Sequence, residues 1–408
     1  MPYWRQWTIR TMPASSTPPP RPHRQATGQV WLWDIFCRVI DNFGDVGVCW
    51  RLAADLAARG HTVRLWLDDP QALPWMAPGA LEGHWPGITV HPWDAASDVQ
   101  LLSTLVPAQV WVEGFGCELP EAFVASRARA QDAPPVWINL EYLSAEDFVE
   151  RSHGLPSPLM SGAAKGWTKH FFYPGFTPRT GGLLREPDLL AQRYAFGSSE
   201  RVAFFNKLGV ADHGEALVSL FCYANAPVAA LLDRLRGVKT RVHLLVTHGQ
   251  AQSAVQAAVA QCPHASDPLR MTSLPLLSQT QFDHLLWISD LNFVRGEDSL
   301  VRALWAGRPF VWQIYPQQDG AHRAKLDAFL DVTDAPAPVR NWHGHWNGFG
   351  NSDITSPLPL GEPMPASQPW RAWADGLGLQ MARQADLLSQ LCAFVQAVPC
   401  AGQAPKTR

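Results

Sequence analysis

The sequence predicts an α/β protein made of two doubly wound halves that face each other across a cleft. Three observations lead there. A chain of 408 residues favours two domains over one. Each half contains the same succession of an apolar run, a short glycine-bearing loop, a helical repeat and a second apolar run. And 47% hydrophobic against 17% charged residues is enough apolar content for large cores. The net charge of −3 argues against a general nucleic-acid binder or a basic membrane-surface protein. No apolar run approaches the roughly 20 residues of a membrane span. Seven cysteines form no CxxC pair and sit mostly in apolar runs, as expected of buried thiols in a reducing cytoplasm.

Residues 1–28 are rich in Pro, Ser, Thr and Arg and contain no Asp or Glu; they read as a disordered tail or as translation from an upstream start. The first half, 29–190, opens with a strand over Trp31–Ile40, the loop Asp41–Gly47, a helix over Val48–Arg59 and a second strand, Thr62–Leu67. The loop is not GxGxxG, and Asp41 and Asp45 carry the wrong charge for a diphosphate. They are either reactive carboxylates or simple partners for turn and cap amides. Further strands are expected at Val90–Pro92, Gln109–Val112 and Val136–Asn139, and His153–Leu184, dense in Gly and Pro, reads as a long irregular connection. Tryptophans flanking strands (Trp31, Trp33, Trp66, Trp111, Trp137, Trp287, Trp312) are expected in the cores.

The second half, 191–376, has strands at Leu217–Tyr223, with Phe221 and Tyr223 on one face, and at Val242–Val246. Helices follow at Ala226–Leu235 and Gln250–Ala260, then an apolar run, Met271–Leu277, ending at Ser278-Gln279. The clearest unit is Leu291–Gln317. A buried strand, Leu291–Val294, meets the polar knot Arg295-Gly296-Glu297-Asp298-Ser299; a helix starts at Leu300, Gly307-Arg308-Pro309 stops it, and Phe310–Ile314 is the next strand. A loop at the carboxyl end of a strand that opens a helix is a phosphate site, with Arg295 as a charged fork and Glu297 as an acceptor for ribose hydroxyls. The alternative is that Asp298 or Ser299 is only an N-cap. Residues 341–368 read as a surface insertion; His343 and His345 lie there without the further ligands a metal needs. In 377–408 a terminal helix over Gln380–Val398 is expected to pack back across the domains.

Asp41–Arg51 (DNFGDVGVCWR), Trp137–Ala145 (WINLEYLSA), Lys169–Glu186 (KHFFYPGFTPRTGGLLRE), Ser219–Tyr223 (SLFCY) and Phe293–Gln317 resemble, in that order, the arginine rhamnosyltransferases of bacterial elongation factor P, the EarP family. The resemblance runs from about Trp33 to the end. It implies a GT-B glycosyltransferase, two Rossmann-like domains facing across a cleft, with the acceptor on the N-terminal domain and the nucleotide sugar on the C-terminal one. It further implies dTDP-β-L-rhamnose as donor, an arginine of elongation factor P as acceptor, inversion at the anomeric carbon, and no cofactor. By the same resemblance Asp45 is the general base and Asp41 its essential partner. Phe221 lies against the thymine, Tyr223 near the ribose or diphosphate, and Gln279 at the base edge. Arg295, Glu297, Asp298, Ser299 and Tyr315 surround the sugar diphosphate. Two positions depart from the family pattern. Thr247-His248-Gly249 replaces a more acidic loop, and Leu276 stands where an aromatic is common beside the base.

Such chemistry needs two kinds of group. A guanidinium with a pKa of about 13 stays protonated at neutral pH, so a carboxylate must hold and aim it. As the C–N bond forms the nitrogen becomes acidic, and a carboxylate takes its proton. The departing diphosphate gains charge that a helix start, Arg295 and Tyr315 can stabilise. No DxD pair is placed for a metal bridge, so a metal-free reaction is expected. Two other readings stay open: a dTDP-sugar transferase with another acceptor, and a nucleotide-binding regulatory protein without catalysis. A nicotinamide-dependent oxidoreductase is disfavoured by the missing GxGxxG.

Overall fold

The computed structural model describes residues 29–40, 43–130, 133–261, 269–316, 320–350, 356–361 and 368–398. The tail expected at 1–28, and Asp41, lie outside them.

The first sheet has seven strands: β1 (Leu32–Cys37), β2 (Thr62–Leu67), β3 (Ile88–Pro92), β4 (Val110–Gly114), β5 (Val136–Leu140), β6 (Pro156–Pro158) and β7 (Thr168–Phe172). Their order is β3-β2-β1-β4-β5-β7-β6, all parallel except the β6–β7 pair. Period-two alternation divides β1 between two cores. Trp33, Ile35 and Cys37 join Leu52, Val63 and Val110 on one face, whereas Phe36 joins Trp66, Trp111 and Phe123 on the other. The seven tryptophans expected inside are all buried.

The second sheet has five parallel strands: β8 (Ala216–Leu220), β9 (Val242–Val246), β10 (Arg270–Ser273), β11 (Leu291–Arg295) and β12 (Phe310–Gln313), in the order β10-β9-β8-β11-β12. In both sheets the strand order reverses beside the first strand, between β1 and β4 and between β8 and β11. That crevice, beyond the carboxyl ends of the strands, is where an open α/β sheet accepts a ligand.

Four expectations need correction. Both key helices start about a turn earlier than their apolar repeat. They run over Gly44–Ala58 and Gly296–Ala306, so Asp45 and the acidic pair of the knot belong to first helical turns. Polar first turns carry no periodic apolar residue and are invisible to that signal; the helix dipole stabilises acidic groups there. The irregular connection contains β7, whose Lys169–Phe172 pairs in register with Trp137–Leu140. The expected insertion at 341–368 begins inside the helix Ala337–Trp346, where Trp342, His343 and Trp346 are buried against the second core. The single terminal helix is two. Gln368–Ala382 packs Trp370, Trp373 and Leu377 onto the second domain, and Leu387–Ala397 returns Leu387, Leu388 and Leu391 to the first.

Candidate active site

Between the domains lies a cleft of about 790 Å³, including the part open to solvent. Gly44, Trp75 and Met76 line it from the first domain; Phe221, Gln279, Phe282, Arg295, Glu297, Asp298 and Ser299 line it from the second. Topology puts them there. Phe221 follows β8 and the knot follows β11, the two strands at the second crevice, while Gly44 opens the helix after β1 at the first.

The knot is built on Gly296, whose φ of 65° lies in the left-handed region that favours glycine. Arg295 takes the N-cap position with no side-chain cap, so neither Asp298 nor Ser299 is the N-cap. The Ser299 hydroxyl instead accepts from the Arg295 amide at 3.0 Å and donates to the Arg295 carbonyl. Gly307, at φ 57°, ends the helix in the left-handed conformation. The Arg295 guanidinium lies 4.5 Å from the ring centroid of Phe221 and 4.5 Å from that of Tyr223, and it donates to Gln250 Oε1 at 2.8 Å. Two aromatic faces and a side-chain amide thus hold this planar cation at the cleft. Phe282 meets the Phe221 ring edge-on, with centroids 5.5 Å apart. Tyr315 stands edge-on to Tyr223 at 5.6 Å, outside the cleft lining and largely exposed.

The other residues of the expected site span the two domains. Glu297 accepts from the Leu143 amide at 2.7 Å and from Lys325 Nζ at 2.8 Å. Gln279 Nε2 donates to the Gly47 carbonyl at 2.9 Å. Asp298 pairs with Arg51 Nε at 2.9 Å; burial pushes its carboxyl up, against the pull of Arg51 and Arg302. Asp45, next to Gly44 in the same first turn, is buried rather than part of the cleft lining and accepts from the Ile40 amide at 2.7 Å.

Sequence reading missed a charge network beneath the cleft. Arg302 pairs with Glu186 at 2.6 Å and with Asp283 at 2.7 Å; Arg51 reaches Glu186 at 3.4 Å and Asp283 at 3.3 Å. Although burial opposes ionisation, Arg302 and Arg51 hold the Glu186 carboxyl down at about 2. Phe282 was missed as well. It lies three residues after Gln279, in the apolar stretch Phe282–Leu286 that reads only as part of the α/β repeat.

The family model described as Elongation-Factor P (EF-P) rhamnosyltransferase EarP matches residues 33–396. Curated relatives named "Protein-arginine rhamnosyltransferase" include one from Pseudomonas putida, 48% identical over 73% of this chain and 80% of its own length. One from Shewanella oneidensis is 36% identical over 89% and 97%. A solved structure described as "Structural basis for EarP-mediated arginine glycosylation of translation elongation factor EF-P" superposes with a TM-score of 0.56 at 30% identity. It covers 90% of this chain and 100% of its own. With its two Rossmann-like domains, its knot at the second crevice and the match over nearly its whole described length, the chain belongs to the EarP family of EF-P rhamnosyltransferases and has the GT-B glycosyltransferase fold.

Proposed function

We propose that this enzyme moves L-rhamnose from dTDP-β-L-rhamnose to an arginine side chain of elongation factor P, with inversion at the anomeric carbon. The observation that carries the reading is the Arg295–Ser299 helix start facing Gly44, the first residue of the helix that carries Asp45, across one cleft. In this reading donor and acceptor groups come from different domains and meet in the cleft between them.

In this reading the thymine enters the corner formed by Phe221 and Phe282, where the exposed Leu276 supplies an aliphatic second wall. Arg295, already oriented by Phe221 and Tyr223, and the amides of the Gly296–Ala306 helix start meet the diphosphate. They oppose the charge that develops as dTDP leaves, so protein groups rather than a metal neutralise it. Tyr315 completes the diphosphate end. Asp41 holds the guanidinium, and Asp45 takes the proton released as the C–N bond forms. The Ile40 amide fixes one Asp45 oxygen, which orients the carboxylate before the acceptor arrives. The unpaired thiols of the described cysteines support a cytoplasmic location.

Intact-mass analysis tests this. Elongation factor P incubated with the protein and dTDP-rhamnose should gain one deoxyhexose, mapped by fragmentation to an arginine. Binding of dTDP-rhamnose without any mass gain would favour a different acceptor.

A further inference from the structure

Two of the family-like segments, Trp137–Ala145 and Lys169–Glu186, contribute no lining residue to the donor cleft, yet the fold brings both to one place. A second cavity of about 450 Å³ adjoins the donor cleft, and Glu297 and Asp298 line both. Its walls include Val48, Phe115, Leu143, Pro174 and Leu184, and Glu141 puts a carboxylate among them. Val48 lies one helical turn beyond Asp45, so the cavity runs along the helix that carries the proposed base.

Glu141 differs from the other carboxylates around it. Glu113 is paired with Lys169 at 2.8 Å, Glu297 with Lys325 at 2.8 Å, and Asp298 with Arg51 at 2.9 Å. Among the described residues no basic side chain pairs with Glu141. The Asn139 amide donates to its Oε1 at 2.7 Å and fixes its orientation. Asn139 is itself held by the Gly116 amide at 3.1 Å. That amide follows Phe115, whose φ of 57° is left-handed and strained for a bulky residue, and whose ring stacks on Tyr142 at 4.5 Å. A half-buried carboxylate in an apolar cavity is unfavourable unless a cation joins it. Burial and the neighbouring Glu113 push the Glu141 carboxyl up, against the pull of the Asn139 amide and of Lys169, whose ammonium is itself paired with Glu113. Apolar walls suit a short methylene stem, and a fixed carboxylate suits a planar guanidinium, which it can bind with two parallel hydrogen bonds.

We propose that Glu141 is the acceptor-side anchor: the stem of the acceptor arginine lies against Phe115, Leu143 and Leu184, and Glu141 shares with Asp41 the hold on its guanidinium. The assignment deepens the acceptor reading above and rests on it. Glu141→Gln keeps the shape and the Asn139 contact but removes the charge. At saturating dTDP-rhamnose it should raise KM for unmodified elongation factor P about 10- to 100-fold, the scale of one charge-assisted contact, with a smaller change in kcat. Calorimetric affinity for dTDP should be unchanged, which also reports an intact fold. Glu141→Asp should recover part of the loss, an effect that a purely structural role would not produce. A Glu141→Gln enzyme with the wild-type KM overturns the assignment. A direct probe separates it from the choice of acceptor protein. In saturation-transfer NMR, N-ethylguanidinium should bind the wild type and lose its signal with Glu141→Gln, whichever protein is modified. Equal signals from both overturn the subsite.

Discussion

Replacing Asp45 by Asn leaves an oxygen to accept from the Ile40 amide and removes the negative charge, so it separates folding from proton transfer. The variant should bind dTDP as the wild type does, because the proposed donor contacts lie on the other domain, and should lose turnover by about 100-fold or more. Calorimetry and mass spectrometry read the two quantities; a wild-type transfer rate would remove Asp45 from the role of base. At this scale much of the site was legible. Phe221 and the Arg295–Ser299 knot, expected at one cleft, do line it, and the knot stands out in the sequence as a polar interruption between apolar runs. Arg51, Asp283 and Arg302 were not legible. Each lies inside a helix at a position that reads as solvated until the other domain covers it. Glu297 and Gln279 were readable as cleft residues, but not their bonds across it to Leu143 and Gly47.

Among the elements, the helix Ala337–Trp346 shows how composition misleads. Gly, Pro, Ser and Asn over 341–368 suggested a surface insertion, yet Trp346 packs 4.6 Å from the Phe293 ring of β11 and His343 is fully buried. The His343 imidazole donates from Nδ1 to the Val339 carbonyl at 2.9 Å and accepts the Trp312 amide at Nε2 at 3.1 Å. Only the neutral ring can do both. Burial pushes its pKa from the ordinary 6.5 down to about 4. The unfolded chain therefore binds the extra proton between those values. The stability that neutral His343 contributes is complete above about pH 6.5 and is lost as pH falls toward 4, up to about 3 kcal/mol. Asp55, pushed up to about 6 chiefly by burial, acts with the opposite sign over much of the same window. The decisive quantity is hence the difference between wild type and His343→Asn in urea unfolding across pH 4–7. The wild type's advantage should shrink steadily toward pH 4; a constant difference would show that His343 does not titrate as described.

For the whole molecule, the paired cations Arg51 and Arg302 set how the domains meet, since their carboxylates come from the first helix's partner domain and from Glu186 in the connection. The chain passes between the domains twice, and the two passages touch. The Leu387 amide donates to the Leu183 carbonyl at 2.9 Å, and Arg185 donates to the Gln384 carbonyl at 3.2 Å. A two-domain architecture was plain from the repeated α/β pattern. The return crossing was plain only as a final apolar stripe, because nothing local states which core such a stripe completes.

That return has a consequence for how the protein is made. Leu387, Leu388, Leu391 and Val395 fill the core beside Trp33, Ile35 and Leu56, so the first domain lacks part of its interior until the last helix has been synthesised. Translation must run roughly 200 residues beyond β7, some 10–40 s at ordinary elongation rates, while that apolar face stays uncovered. A released fragment ending near residue 190 should therefore bind a hydrophobic dye and aggregate at micromolar concentration. A peptide spanning residues 383–398, added in trans, should suppress both. A fragment that stays monomeric and dye-silent by itself would mean the first domain closes without its late partner. If the fragment behaves as expected, the nascent chain spends those seconds as a client for whatever shields exposed apolar surface near the ribosome.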